Sequence, residues 1–299
     1  MRHRNRIEFP KTVAVALGGL VLYELLYFMV LANRLDRYFL FRAHIPGLLW
    51  LAVVLVASAV SYYEYHGFGP QDGIVRHGRN HPYVALTFDD GPNPEYTDKI
   101  LDILSAKKAP AAFFMVGRHV EKYPEVARRV FAEGHDIGNH TFTHRDLVPA
   151  TRKTIEKEVN KTDQAIMDIV GIRTRLFRPP RGIISNAGRK LLVEMGYTIA
   201  LWTVSAVDWR GLPPKAIVKR ITRHIRTGGV ILFHDSGAVL RSEGANRGNT
   251  VEALPLVIDE LRRRGYEIVA LSRMLRDLEQ IDDESFVDVL GPRSAGQEI

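Results

Sequence analysis

The sequence predicts an α/β fold, a barrel of about seven parallel strands that follows two N-terminal transmembrane helices. Two observations predict it: strand-like and helical stretches alternate over about 200 residues from position 66 onward, and two long apolar segments precede them. Hydrophobic residues make up 46% of the 299 residues and charged residues 25%, which is ordinary globular usage and excludes a disordered chain. The lack of cysteine excludes disulfides, thiolate metal sites and a cysteine nucleophile.

The two apolar segments predict a membrane anchor. Residues 12–33 are apolar apart from Glu24, and residues 45–63 carry no charge. Each segment has about the 20 residues that cross a bilayer core, whereas the alternative is a pair of buried helices in a soluble protein. We expect an anchor at 1–65, a linker at 66–81, the main domain at 82–276 and a flexible tail at 277–299. The main domain is expected on the extracytoplasmic side. The alternative is a cytoplasmic domain, since four basic residues before the first segment and three between the segments do not decide the orientation.

The net charge of +7 is concentrated at the N-terminus, where residues 1–43 hold seven basic and three acidic residues. Because this excess flanks apolar segments and not the main domain, it argues against a nucleic-acid partner. A second basic stretch lies at 215–226, where helical spacing is typical of a solvated face. The alternative for that stretch is attraction to an anionic cell-wall polymer or to lipid headgroups. Its basic residues are Lys215, Lys219, Arg220, Arg223 and Arg226.

The elements of the main domain are predicted from alternating sequence patterns. Short runs rich in β-branched and aromatic residues predict strands at 83–88, 111–116, 136–138, 176–178, 198–204, 230–234 and 267–271. Helical patterns follow at 98–107, 124–133, 151–170, 186–195, 214–226 and 251–264. Strict alternation favours a barrel over an open doubly wound sheet. The sequence shows no Gly-rich nucleotide loop, so no nucleotide cofactor is expected.

Polar clusters follow five of the predicted strands. Because the carboxyl ends of parallel strands share one face, these clusters are expected to meet there. They are Asp89-Asp90, the pair His140 and His144, residues 178–182, Asp208-Trp209, and His234-Asp235.

Two of these clusters have the composition of a metal site. His140 and His144 are spaced so that both imidazoles can reach one ion if the chain turns between them. Without cysteine, the third ligand is expected from Asp89 or Asp90, and two histidines with one carboxylate are typical of a hydrolytic metal site. The other aspartate could then act as a base. The alternatives are surface or packed histidines and an ordinary Asp-Asp-Gly-Pro turn.

The remaining clusters contain groups that could support the same chemistry. Arg178 could keep a base ionised, and His234, with its pKa raised by Asp208, could protonate a leaving nitrogen. Pro179-Pro180 stiffens the next loop and Gly182 frees a turn, which could direct a backbone N–H toward a developing oxyanion. The alternatives are a surface ion pair for the arginine and a structural role for the histidine.

Five ordered motifs in this chain resemble those of the polysaccharide deacetylases, carbohydrate esterase family 4 with its NodB-homology domain. They are TFDDGP at 87–92, GNHTFTH at 138–144, RPPRG at 178–182, VDW at 207–209 and ILFHD at 231–235. The resemblance spans residues 82–271, about two-thirds of the chain. It therefore implies that the domain at 82–276 is catalytic.

The resemblance implies a distorted (β/α) barrel and one divalent ion, usually Zn²⁺, with Co²⁺ or Mn²⁺ as other options. The ion would be held by Asp90, His140 and His144. Asp89 resembles the general base that activates the attacking water, and His234 resembles the general acid.

Other residues receive supporting roles from the same resemblance. Arg178 is similar to the arginine that orients the base, and Asp208 to the aspartate that tunes the acid. The backbone N–H of Arg181 matches the oxyanion donor of the family. The residues expected to bind substrate are Pro180, Arg181, Gly182, Trp209 and Leu232.

Two positions depart from the pattern of the family. Ser205 stands where an aspartate commonly opens the fourth motif, which alters the charge network around the site. Arg181 stands where an aromatic residue is usual, which keeps the backbone donor but could favour an anionic substrate. Because every residue needed for metal binding and proton transfer is present, we expect an active enzyme.

The implied reaction is hydrolysis of the N-acetyl group of N-acetylglucosamine units in a cell-wall or exported polysaccharide, such as peptidoglycan or a chitin-like chitooligosaccharide. One alternative is a deacylase of a lipid-linked amino sugar at the membrane. Others are a non-catalytic sugar-binding module and, more distantly, a metallo-phosphodiesterase.

Overall fold

The computed structural model describes residues 73–79, 81–237 and 246–279, together with helical residues at 47, 50–56 and 58. The chain divides into two units, Met1–Gly67 and Phe68–Ile299, and the sheet and site described below belong to the second. The predicted segment 12–33 lies outside the described residues, and so does most of 45–63. Within the described ranges, no helix is both long enough and apolar enough to cross a membrane.

The described residues contain nine strands in one curled sheet whose ladders are all parallel. Their order is β1-β6-β5-β4-β3-β2-β8-β7, and β9 pairs with the start of β2. This confirms the predicted parallel α/β architecture, with nine strands in place of about seven. The strands are β1 (Ile74–Val75), β2 (Tyr83–Asp89), β3 (Ala111–Met115), β4 (Asp136–Asn139), β5 (Leu176–Phe177), β6 (Thr198–Ala200), β7 (Val204–Ser205), β8 (Gly229–His234) and β9 (Glu267–Ile268).

Helices connect most of these strands, as the alternation predicted. Short 3₁₀ turns at Pro180–Gly182 and Asp208–Arg210 follow β5 and β7. The helices within the described domain are α1 (Thr97–Ala106), α2 (Gly117–Lys122), α3 (Pro124–Ala132), α4 (Arg152–Val170), α5 (Asn186–Glu194), α6 (Pro214–His224), α7 (Gly248–Arg263) and α8 (Leu271–Glu279).

The prediction of one strand at 198–204 is wrong, because the structure has two strands there. The chain changes neighbours within this segment: the Leu201 N–H donates to the Val75 carbonyl at 2.7 Å, and the Thr203 N–H donates to the Val230 carbonyl at 2.8 Å. β6 therefore pairs with β1 and β5 near one end of the sheet, whereas β7 pairs with β8 at the other end. This one segment links both ends of the curled sheet.

Three further elements were not predicted from the sequence. β1 lies within the range predicted as a linker, and α2 and α8 are additional helices. α8 packs Leu271, Met274 and Leu275 into the interior apolar cluster. It is held there because the Ser272 N–H and hydroxyl donate to the Asp136 carboxylate at the start of β4, at 2.8 and 2.7 Å.

Period-two alternation along β2 separates the two faces of the sheet. Val84, Leu86 and Phe88 pack into the apolar cluster shared with the helices, whereas Ala85 belongs to the interior cluster. Thr87 and Asp89 share the interior face with Ala85, so the same alternation brings polar groups inside at the carboxyl end of the strand. The interior is lined there by small residues such as Ala112 and Ala200, which leave room for a large side chain.

Candidate functional site

Two adjacent carboxylates at the end of β2 form the centre of the site. Asp89 is the last residue of the strand, and Asp90 follows with a left-handed backbone at φ 80°. Both residues are only 4% exposed. Two carboxylates buried next to each other repel, so their charges require compensation from neighbouring groups.

The fully buried side chain of Arg178 compensates the charge of Asp89. Its Nη1 donates to Asp89 Oδ1 at 2.6 Å and to Thr87 Oγ1 at 2.9 Å. Its Nε donates to the Ala200 carbonyl at 2.8 Å, and the guanidinium stacks 4.0 Å from the ring centroid of Phe114. Burial lowers the pKa of Arg178, and the Asp89 carboxylate opposes that shift. This buried ion pair fixes the direction of the Asp89 carboxylate.

The two histidines lie directly beside the carboxylates. His140 Nδ1 lies 2.7 Å from the Arg178 carbonyl, and since a carbonyl only accepts, we assign the ring hydrogen to Nδ1. Its Nε2 is then an open ligand atom, 3.6 Å from Asp90 Oδ1 and 3.8 Å from Asp89 Oδ2. His144 Nε2 lies 3.1 Å from Asp90 Oδ1. The histidines and the aspartates thus converge as the strand-end argument predicted.

Asp90, His140 and His144 have the composition and spacing of a metal site. One ligand atom from each lies within 4.8 Å of the other two. Burial acts to raise the pKa of Asp90, but the neighbouring imidazoles of His140 and His144 outweigh it and hold the pKa well below its usual range. The group therefore offers two imidazole nitrogens and one anionic oxygen, which suits a divalent ion such as zinc.

A second charged pair lies beside the first. His234 Nδ1 and Asp208 Oδ1 are 2.8 Å apart, and the His234 backbone N–H donates to Asp208 Oδ2 at 2.8 Å. Burial acts to lower the pKa of His234, but the Asp208 carboxylate outweighs it and raises the pKa to about 9. The imidazole is therefore protonated at neutral pH and can donate a proton.

The loop after β5 has strained backbone geometry at the edge of the site. Arg181 and Gly182 are both left-handed, at φ 57° and 71°. A Cβ at Gly182 would lie 2.6 Å from the indole of Trp202, so a glycine is required there. The Arg181 side chain is largely exposed and pairs with Asp146 at 3.2 Å. Pro180 begins the 3₁₀ turn that holds this backbone.

The remaining predicted residues lie around these groups. Leu232 is buried in β8 and is in register with Thr87 of β2 and Ser205 of β7. Trp209 is 52% exposed, and its ring stacks 4.7 Å from the Arg210 guanidinium. A buried leucine and an exposed aromatic ring are therefore both present.

Three residues without a predicted role also hold the site. His119 Nδ1 lies 2.7 Å from the Asp90 carbonyl, and the Thr250 hydroxyl donates to Asp208 Oδ2 at 2.8 Å. The third is Thr87, which donates to the Ile231 carbonyl at 2.8 Å. The sequence could have indicated Thr87, because it lies two residues before Asp89 in the same strand and so faces the same side of the sheet. No local pattern connects His119 or Thr250 to the site.

Comparisons with known proteins show the family to which this chain belongs. Residues 76–200 match the family model for polysaccharide deacetylase. A peptidoglycan-N-acetylglucosamine deacetylase of Bacillus cereus is 36% identical over 199 residues, which cover 66% of this chain and 90% of that protein. The chain belongs to the polysaccharide deacetylase family. This deacetylase is therefore a hydrolase that acts on N-acetyl groups.

Further relatives support the same assignment. A chitooligosaccharide deacetylase of Sinorhizobium fredii is 36% identical to this deacetylase over 202 residues, which cover 66% of this chain and 94% of that protein. A crystal structure of a peptidoglycan N-acetylglucosamine deacetylase in complex with an N-oxidanyl-benzamide is similar in fold. Its TM-score is 0.64 at 34% identity, and the match covers 68% of this chain and 92% of that chain. The fold and the family agree with the resemblance seen in the sequence.

The two departures from the family motifs have distinct surroundings in this deacetylase. Ser205 is buried, and its hydroxyl accepts from the Val207 N–H at 3.1 Å. It therefore stabilises the turn that leads into Asp208. Arg181 instead extends to the surface at the edge of the site, where its guanidinium pairs with Asp146.

Proposed function

We propose that this deacetylase is metal-dependent and removes the N-acetyl group from N-acetylglucosamine units of a cell-wall or exported polysaccharide. One observation carries the proposal: a carboxylate with its own arginine lies beside a possible aspartate–histidine–histidine ligand set, close to a protonated histidine. The names of the relatives, which are deacetylases of peptidoglycan and of chitooligosaccharides, support this class of substrate.

Asp90, His140 and His144 would hold the ion, which we propose is Zn²⁺. When bound, such an ion supplies Lewis acidity toward the amide carbonyl and lowers the pKa of water. His140 suits the role because its Nδ1 is occupied by the Arg178 carbonyl, so only Nε2 can bind an ion. Asp90 suits it because its carboxylate is anionic across the physiological pH range.

Asp89 would act as the general base. Its Oδ1 is occupied by Arg178, and its Oδ2 lies on the side of His140, where it can accept a proton from the attacking water. The buried guanidinium holds the carboxylate in this orientation. Asp89 is thus able to accept a proton without also being a metal ligand.

His234 would act as the general acid. Breaking the C–N bond of the amide requires a proton on the leaving nitrogen, because an amide anion is a poor leaving group. With its pKa raised to about 9, the imidazole carries that proton at neutral pH. Asp208 holds the ring through Nδ1, which leaves Nε2 to donate. The products are acetate and a free amine.

The loop at 180–182 and two side chains would bind the substrate. We propose that the Arg181 backbone N–H stabilises the developing oxyanion, since the 3₁₀ turn from Pro180 to Gly182 fixes its direction. Leu232 would form the wall against the acetyl methyl group, and exposed Trp209 would pack against a sugar ring. Arg181 would add attraction for an anionic substrate.

The place of the enzyme in the cell is proposed from the sequence. The apolar segments 12–33 and 45–63 support a membrane anchor at 1–65, with the catalytic domain on the extracytoplasmic side where the polymer is found. A reporter enzyme fused after Glu298 tests this, because alkaline phosphatase is active outside the cytoplasm only. A reporter active only in the cytoplasm would contradict the proposal.

Acetate release by the full chain tests the reaction. The substrates are chitin oligomers and peptidoglycan, each measured with the native chain, after treatment with chelator, and after Zn²⁺, Co²⁺ or Mn²⁺ is returned. We expect chelation to abolish release and one of the metals to restore it. Turnover that survives complete chelation would exclude the metal-dependent mechanism.

A further inference from the structure

The segment that carries both histidines has no regular secondary structure. Between His140 and His144 it contains two left-handed residues, Thr141 at φ 65° and His144 itself at φ 55°. We propose that Glu158 of α4 is a positioning residue that fixes this segment, so that the two imidazoles face Asp90 before an ion binds. This inference rests on the proposed metal-binding role of the two histidines.

Glu158 binds the middle of the segment with both carboxylate oxygens. Its Oε2 accepts from the Thr143 backbone N–H at 2.8 Å. The Thr143 hydroxyl lies 3.1 Å from each of the two oxygens. Glu158 is buried at 9% exposure, so this carboxylate binds Thr143 away from bulk water. Such a charge-assisted contact is stronger than a neutral hydrogen bond.

α4 also binds the start of the segment. Asn139 Oδ1 accepts from the Thr141 N–H at 2.9 Å, and Asn139 Nδ2 donates to Asp163 Oδ1 at 2.8 Å and to the Val159 carbonyl at 3.0 Å. The Tyr197 hydroxyl donates to the other Asp163 oxygen. α4 therefore holds the Thr143 N–H directly through Glu158. It holds the Thr141 N–H indirectly, because it binds the Asn139 amide that accepts from Thr141.

The opposite side of the segment is held by the start of α2. The Gly117 N–H donates to the Thr141 carbonyl and the Arg118 N–H to the Phe142 carbonyl, each at 3.0 Å. α4 packs closely there, since a Cβ at Gly117 would lie 2.8 Å from the Thr162 hydroxyl. The segment is thus fixed between two helices: its carbonyls accept from the start of α2, and the Thr143 N–H donates to Glu158 of α4.

Loss of Glu158 would affect the two histidines differently. His140 keeps its hydrogen bond to the Arg178 carbonyl. His144 follows Thr143 directly, and among the described residues its ring contacts only the Asp90 carboxylate and the edge of the His140 ring, neither of which is a hydrogen bond to a backbone carbonyl. The expected effect is a shift of the His144 ring away from Asp90. Groups that orient metal ligands typically change metal affinity by about 10- to 100-fold when they are removed.

The test compares Glu158→Gln with Glu156→Gln in the full chain. Glu156→Gln is the same chemical change two residues away, at a carboxylate that pairs with exposed Arg152 at 2.8 Å. Zn²⁺ affinity is measured by competition with a chromophoric chelator, and ligand geometry by the visible absorption spectrum of the Co²⁺-loaded protein. We expect Glu158→Gln to weaken Zn²⁺ binding about tenfold or more and to alter the Co²⁺ spectrum. Glu156→Gln should match the native chain in both.

Two further variants keep the test decisive. Glu158→Asp retains the charge and should recover part of the lost affinity. If Glu158→Gln does not fold, Thr143→Val, which removes only the hydroxyl contact, should show a smaller loss in the same direction. Native Zn²⁺ affinity with a native Co²⁺ spectrum in Glu158→Gln, or in Thr143→Val where that variant replaces it, would overturn the inference.

The outcomes separate this inference from the proposed function. A native chain that binds neither metal would remove the metal-dependent mechanism and the inference together. A native chain that binds Zn²⁺ but releases no acetate would contradict the proposed reaction alone, since the effect of Glu158 on metal binding is still measured directly.

Discussion

Asp89 and His234 are register partners on the neighbouring strands β2 and β8, and the N–H of the next residue, Asp235, donates to the Asp89 carbonyl at 3.1 Å. The residues proposed as base and acid are therefore fixed relative to each other by the sheet itself. Loops supply the candidate metal ligands around them.

Replacing Asp89 with asparagine is expected to remove activity while the metal-binding group stays intact. The amide cannot accept a proton from water, and loss of a general base lowers kcat by about 10²- to 10⁴-fold. Acetate release and bound Zn²⁺ are measured on the same preparation. The control is Asp102→Asn, because the Asp102 side chain lies on the exposed face of α1 and pairs only with Arg129 among the described residues. An Asp89→Asn variant with near-native turnover would exclude Asp89 as the base.

The rate of deacetylation is expected to fall as the pH rises toward and beyond 9. Only the protonated imidazole of His234 can donate a proton, and its pKa is raised to about 9 mainly by Asp208 against the effect of burial. A bound cation offsets the negative charge of Asp90, so the midpoint of the alkaline limb should lie at or below that value.

Asp208→Asn tests the cause of this pH dependence. Loss of the carboxylate lowers the pKa of His234, so the alkaline limb of the pH–rate profile should move to lower pH and kcat at neutral pH should fall. Profiles of kcat for both proteins are compared at saturating substrate. An unchanged alkaline limb in Asp208→Asn would assign the limb to a group other than His234.

Removing the buried guanidinium of Arg178 is expected to destabilise the fold. Arg178→Met leaves Asp89 buried without its partner, which typically costs about 3–5 kcal/mol. Urea denaturation measures the free energy of unfolding. The control is Arg128→Met, since Arg128 is exposed and pairs with Glu125 on one face of α3, where a change of less than about 1 kcal/mol is expected.

A double variant separates the charge from the packing. Asp89→Asn combined with Arg178→Met removes both charges, so it should be less destabilised than the sum of the single variants. Additive losses would show that the ion pair contributes nothing beyond the packing of the arginine side chain.

Arg181 is expected to affect substrate binding more than turnover. Arg181→Asn keeps the backbone N–H and suits the left-handed backbone at φ 57°, because asparagine adopts this region more readily than most residues. Loss of an exposed positive charge should raise KM for carboxylate-bearing peptidoglycan fragments about two- to tenfold. Steady-state kinetics on neutral chitin oligomers provide the comparison. An equal change in KM on both substrates would show that Arg181 does not select for charge.

Much of the site could be predicted because it lies in short segments with a clear local pattern. Alternation in β2 and β8 puts Asp89 and His234 on the interior face, and the His140–His144 spacing already indicated a shared ion. By contrast, the strand predicted at 198–204 is divided by pairing with β1 and β8, which are far away in sequence. A local pattern contains no information about such a change of partner.

The sequence alone was enough to predict the parallel α/β class, the alternation of most strands and helices, and the residue types that gather at the strand ends. It could do so because periodicity and chain polarity are local properties. Three sets of contacts are seen only in the folded chain. Arg178 is buried against Asp89, His119 and Thr250 hold Asp90 and Asp208, and Glu158 binds Thr143. Most of these contacts join residues far apart along the chain, and they depend on how the sheet curls and how the helices pack against it.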